Sequence, residues 1–267
     1  MRLTLPMYDL PELRAQTDRW TACLLNALAA EGFEDLPEAL DRKSEREAAW
    51  RAPDLLLTQT CGFPLRHGMA GVLSAVAVPV YAAEGCRPGF YASAVLVRTD
   101  DPARAFPDCR GYRVAANGPD SQSGANCLRA LAAPLAQDGA FFGEVTWSRA
   151  HRNSLALVKQ GKADLCAVDA VTLALIDAVA PDETKDLRRL CWSPEAPALP
   201  YAVRATLPAE TRTRVAAALR RALDDPDGRA ARRALLLEDL QPIDDAAYAS
   251  VVTMREQADR AGLTALT

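Results

Sequence analysis

The chain has 267 residues, 31 Lys and Arg against 35 Asp and Glu for a formal net charge of −4, and 49% hydrophobic against 25% charged side chains. These proportions describe a globular protein long enough to bury one large core, or two ordinary ones, without metal or disulfides to hold it. They exclude a disordered or fibrous chain, and an acidic balance without a Lys/Arg cluster excludes broad nucleic-acid binding, which meets the phosphate backbone with clustered cations.

In chain order, residues 3–7 are predicted as a strand. Asp9 caps a helix with Pro11 in its first turn and Leu13, Trp20, Leu24 and Leu28 at helical spacing, ending at Gly32. Residues 54–58 form a continuous apolar run, as in a strand covered on both faces, followed by the polar turn Gln59-Thr60-Cys61-Gly62. Residues 72–81 and 91–97 are two further strands. The stretch 72–83 is the longest apolar run, broken by Ser74 and Pro79; it falls short of the ~20 residues a bilayer requires, so no membrane insertion is expected. The middle of the chain alternates: strand 112–116, helix 124–137, strand 144–147, helix 151–160, strand 164–168, helix 171–179. Strands alternating with helices imply mostly parallel sheets flanked by helices, hence an α/β protein. Strand-like segments at 187–191 and 201–206 precede helices at 208–223, 228–237 and 245–261.

The most informative stretch is Ala115-Ala116-Asn117-Gly118-Pro119-Asp120-Ser121-Gln122-Ser123-Gly124-Ala125-Asn126, a small polar loop between a strand and a helix. A helix start leaves backbone N–H groups without intrahelical acceptors and carries partial positive charge, so it can hold an oxyanion, with Ser121 and Ser123 adding hydroxyl donors. The same residues also serve as an ordinary N-cap. His151, just before a helix, can donate from a neutral ring or add charge when protonated; bonding to nearby backbone is its plain alternative. Asp169 ends a buried strand, where α/β sheets place ligand groups, and equally caps the following helix. Tyr8 follows the first strand in the same kind of position.

The ordered set 54–64, Tyr91-Ala92-Ser93-Ala94-Val95-Leu96-Val97-Arg98, Ser121-Gln122-Ser123-Gly124, His151 with Ser154, and Gly161-Lys162-Ala163-Asp164 through Asp169 resembles the phosphate, phosphite and phosphonate binding proteins that serve ABC transporters. The resemblance implies a two-lobed type II periplasmic-binding-protein fold. Residues 1–92 with 200–267 would form one lobe and 93–199 the other, with a ligand cleft between them and hinge closure on the ligand. It implies that Ser121, Gln122, Ser123 and Gly124 form the anion-binding helix start, that Tyr91 reaches the ligand, and that His151 contacts a ligand oxygen. Asp169, Gln59, Thr60 and Tyr8 would complete the ligand-binding set. Arg152, directly after the histidine, stands where the transporter proteins commonly carry an acidic residue, a departure that counts against an aminophosphonate and leaves room for a more anionic ligand.

The implied partners are a small anionic ligand and an ABC permease, and the chain is expected to be a monomer without cofactor or metal. No export signal is recognisable at its start, which places it in the cytoplasm, or in the periplasm where a leader has been removed. The seven cysteines show no C-x-x-C pair; Cys61 and Cys86 are expected as free thiols rather than a disulfide. His67 and His151 lack metal-ligand spacing, and Asp100-Asp101 and Asp224-Asp225 read as solvated turns or caps beside prolines. The second reading is an enzyme on the same fold, of the dehydratase or lyase kind found in menaquinone synthesis. It would act on a small carboxylate, with His151 or Asp169 transferring a proton.

Overall fold

The computed structural model describes residues 1–266. Its principal strands are β1 (Arg2–Thr4), β2 (Leu55–Gln59), β3 (Leu73–Tyr81), β4 (Ser93–Arg98), β5 (Arg113–Ala116), β6 (Glu144–Trp147), β7 (Leu165–Asp169), β8 (Leu187–Trp192), β9 (Tyr201–Arg204) and β10 (Leu237–Gln241). The helices are α1 (Arg14–Ala30), α2 (Arg46–Arg51), α3 (Gly62–Arg66), α4 (Cys127–Ala132), α5 (His151–Lys159), α6 (Ala170–Val179), α7 (Ala209–Asp224), α8 (Arg229–Ala234) and α9 (Ala249–Arg260). They fall into two compact units.

The first unit holds Met1–Ala82, Arg87–Gly89 and Pro197–Tyr248. Its sheet has the order β1-β2-β9-β3-β10, with β1 parallel to β2 and β9 and β10 antiparallel to their neighbours. All five residues of β2 are buried, Leu55–Leu57 as an apolar run and Thr58 and Gln59 with their side chains hydrogen-bonded. In α1, Trp20, Leu24 and Leu28 bury one stripe at four-residue spacing, and α7 packs against the same helix.

The second unit holds Ala83–Cys86, Phe90–Ala196 and everything described from Ala249 onward. Its sheet has the order β8-β4-β7-β5-β6. β5 is parallel to both β6 and β7, while β4 runs against β7 and against β8. The core is built on Val95, Val97, Val114, Leu128, Leu165 and the rings of Phe106, Phe141 and Phe142.

Four expectations need correction. The C-terminal segment, expected with the first unit, belongs to the second, because α9 lies on α4 and Leu263 and Leu266 enter the second unit's core. The helix expected over 228–237 stops at Ala234, and Leu237–Gln241 is instead strand β10 against β3. The turn after β2 is the short helix α3. The helix expected from residue 124 begins two residues earlier, with a π-helical turn over Gln122–Asn126.

Candidate functional site

Because β7, β5 and β6 are parallel neighbours, their C-terminal ends open on one edge of the second unit's sheet. A helix begins after each: the Gln122 turn running into α4 after β5, α5 after β6, and α6 directly after β7. Each start presents N–H groups with no acceptor in its own helix and the positive end of its dipole, so this edge favours negative charge.

Ser121 is the extended N-cap of the first of these helices, and its Oγ accepts from the Gly124 N–H at 3.0 Å. The Asn126 N–H reaches back to the Ser121 carbonyl at 2.9 Å, the five-residue step of a π turn; such turns recur at functional sites. The hydroxyls of Ser121 and Ser123 lie 3.4 Å apart, and Ser123 Oγ is 2.9 Å from His151 Nε2. The same nitrogen is 3.4 Å from Asp169 Oδ2. Asp169 caps α6, its Oδ1 accepting from the Thr172 N–H at 2.9 Å and its Oδ2 from the Thr172 hydroxyl. Burial holds the His151 pKa below its ordinary 6.5, and the pull of Asp169 in the other direction is smaller. The ring is therefore neutral at neutral pH. Its Nδ1 is buried and has no hydrogen-bond partner among the described residues.

The surroundings lock this cluster. Ser148 N–H and Oγ both donate to the Ala116 carbonyl, its Oγ is 2.6 Å from Ser154 Oγ, and its own carbonyl accepts from Asn153 Nδ2 at 2.7 Å. Asn117 lays its carboxamide against Gly124: a Cβ at that glycine would stand 1.9 Å from Asn117 Oδ1. Only a residue without a side chain fits there.

The structure thus brings Ser121, Ser123, Gly124, His151 and Asp169 together. Gln122 contributes backbone alone: its side chain turns away, accepting from Asn126 Nδ2 at 2.7 Å and donating to Met254 Sδ at 3.3 Å. Tyr91 is buried just before β4, whose first residue, Ser93, pairs with Asp169. Gln59, Thr60 and Tyr8 belong to the first unit, where all three are buried. Gln59 Nε2 donates to the Tyr81 hydroxyl and the Leu199 carbonyl, Thr60 donates to the Cys61 carbonyl, and Tyr8 packs edge-on against Tyr81. Arg152 is held by Glu183. Among the described residues no group of three His, Cys, Asp or Glu is arranged to hold a metal. Sequence reasoning missed Asn117, Ser148 and Asn153. The Asn-Gly step after a strand and the repeated Ser/Asn pattern around His151 were the available signals.

An anion-receptive strand edge on an α/β fold of two units accords with the class that the resemblance implies, the periplasmic solute-binding proteins. A family model described as the periplasmic substrate-binding protein of phosphonate ABC transporters matches residues 52–248. The chain belongs to that family, and its function is the binding of a small oxyanion solute. Among solved structures it is similar to a binding-protein component of an ABC phosphonate transporter from Pseudomonas aeruginosa, with 13% identity, 98% of this chain and 87% of that one covered, and a TM-score of 0.73. It is also similar to PhnD1 from Prochlorococcus marinus in complex with methylphosphonate, at 11% identity, 97% and 98% coverage and a TM-score of 0.70. A Xanthomonas citri protein bound to chloride ion matches at 17% identity, 98% coverage of both chains and a TM-score of 0.70. At these identities the likeness carries the fold. A search of the curated proteins returned no match.

Proposed function

We propose that this chain is the substrate-binding component of an ABC importer for a phosphonate- or phosphate-class anion. Its ligand would be held in the second unit by Ser121, Ser123, the Gln122 and Gly124 backbone, and His151, with Tyr91 beside them. The observation that carries this reading is the hydroxyl–hydroxyl–imidazole chain laid across a helix start at the ends of three parallel strands. Asp169 acts here by holding His151 and capping α6. Because Thr172 and His151 already engage its oxygens, the reading favours an oxyanion without an ammonium group. Gln59, Thr60 and Tyr8 remain proposed ligand groups of the first unit.

We infer further that the chain binds its solute without transforming it. A serine–histidine–carboxylate relay needs hydroxyl and carboxylate on opposite ring nitrogens, whereas Ser123 and Asp169 both approach Nε2. The proposed setting is a monomer working in the periplasm beside its permease; among the described residues no helix is long and apolar enough to cross a membrane. Thermal melts with phosphate, phosphite, methylphosphonate, sulfate and small carboxylates test the ligand class. A specific rise in Tm with the phosphorus oxyanions is expected, since a ligand of the native state stabilises it by mass action. Replacing Ser121 and Ser123 together with Ala should abolish that rise while the protein still folds, its unliganded Tm lowered only by the few degrees that loss of the Ser121 cap costs. A rise that survives the double substitution would overturn the assignment.

A further inference from the structure

Among the described residues, five other than glycine adopt left-handed backbone: Asp35, Asp138, Arg149, Asp186 and Leu236. Aspartate tolerates this region, and Leu236 occupies it directly after the C-cap of α8, where helices commonly turn left-handed. Arg149, at φ 72°, has no such reason. It sits in the turn between β6 and α5, two residues before His151. The turn is fixed by its neighbour: Ser148 bonds through its N–H, hydroxyl and carbonyl to Ala116, Ala150, Ser154 and Asn153. Strained backbone persists only where the surroundings over-determine it in this way. A glycine would occupy the position without strain.

The Arg149 side chain does nothing for this turn. It is exposed, and among the described residues it has no hydrogen bond, ion pair or ring contact within the protein. Two residues of chain span at most ~7 Å, so a guanidinium anchored at Arg149 is within reach of a ligand that touches His151. His151 itself is neutral and offers that ligand no charge. Resting on the oxyanion reading above, we propose that Arg149 is a ligand-recognition residue that adds a full positive charge beside these helix starts and selects doubly charged phosphorus oxyanions over singly charged ones. Guanidinium suits the task, since it stays charged and pairs with two oxygens at once.

The experiment is calorimetric titration of the wild type, R149G, R149N and R149K with inorganic phosphate and methylphosphonate at pH 8, with formate and nitrate as singly charged comparisons, alongside thermal melts. R149G should raise Tm, because it relieves the left-handed strain, while weakening phosphate binding about tenfold or more, as expected for a charged hydrogen bond. R149N, which also tolerates the backbone, should weaken it similarly, whereas R149K, which keeps the charge but not the paired donors, should weaken it less than either. The ratio of doubly to singly charged ligand affinity should fall in R149G and R149N alone. Should R149G fail to fold, R149N against R149K carries the comparison. Wild-type phosphate affinity in R149G and R149N would overturn this inference alone, leaving Arg149 a tolerated strain. A wild type that binds none of the anions overturns the oxyanion reading, and this inference with it.

Discussion

Gly124 shows how one missing side chain shapes the candidate site. The Asn117 carboxamide occupies the space where its Cβ would be, with Oδ1 buried and without a partner there. Gly124→Ala should therefore destabilise the fold by about 1–3 kcal/mol, the usual cost of overpacking, and distort the Ser121–Ser123 turn. Asn117→Ala in the same chain should restore most of that loss in urea denaturation; a double variant as unstable as the single one would show that Asn117 is not what excludes the side chain. At His151 the reasoning runs through protons. Its pKa lies below 6.5 when folded and near 6.5 when unfolded, so in that window the unfolded chain binds more protons than the native one. Its contribution is complete above about pH 6.5 and is lost as pH falls through the unfolded pKa toward the folded one. Unfolding free energies measured from pH 5 to 8 should slope more steeply with pH in the wild type than in His151→Asn; equal slopes would mean that the ring is not held neutral. Ser121, Ser123, His151 and Asp169 were legible in the sequence because small polar and titratable residues at strand ends announce themselves one at a time. Asn117 was not, because its part depends on what Gly124 lacks, and Arg149 looks like any surface arginine until its φ is known.

The elements repeat this contrast between local and non-local information. The apolar runs of β2 and β7 and the four-residue spacing in α1 report burial directly, so they could be read without tertiary context. β10 could not: the register shift between Leu237 and Asp239 breaks its alternation, leaving Leu237 and Leu240 buried three apart and suggesting helix rather than strand. For α9 the sequence shows a helix but cannot show where it docks. In the structure its segment completes the second unit: Val251, Ala258 and Leu263 are fully buried, Arg129 donates to the Leu263 carbonyl at 2.7 Å, and Asn126 Nδ2 donates to the Val251 carbonyl at 3.1 Å. Asn126 is also bonded to Gln122, so the last helix braces the same turn that carries Ser121 and Ser123. Leu263→Ala should cost about 2–5 kcal/mol in chemical denaturation, the range for truncating a buried leucine. Asn126→Leu, which strands the Val251 carbonyl and the Gln122 amide oxygen, should weaken anion binding beyond its effect on stability. A Leu263→Ala protein as stable as the wild type would mean that the C-terminal segment is not part of this core.

At the scale of the whole molecule, seven free cysteines stand against a proposed place of work in an oxidising compartment, where exposed thiolates would be oxidised or exchanged. Burial eases this tension for Cys23, Cys109, Cys127 and Cys166, whereas Cys61, Cys86 and Cys191 are half-buried. Cys109, Cys127 and Cys166 are fully enclosed, and burial pushes these thiols, together with Cys86, up to about 12. The thiolate is the reactive species, so at pH 8 a thiol of that pKa is ionised about once in ten thousand molecules, against roughly one in four at its unperturbed value. Cys23 and Cys191 are also shifted upward by burial, less far. The native protein treated with an aromatic disulfide reagent at pH 8 should consequently release far fewer than seven equivalents within minutes and approach seven only in denaturant. Its Tm should be the same with and without a reducing agent, since no cross-link contributes to the fold. Rapid release of all seven equivalents from the folded protein, or a Tm that drops on reduction, would show that the thiols are not protected by the core and would count against a fold suited to an oxidising compartment.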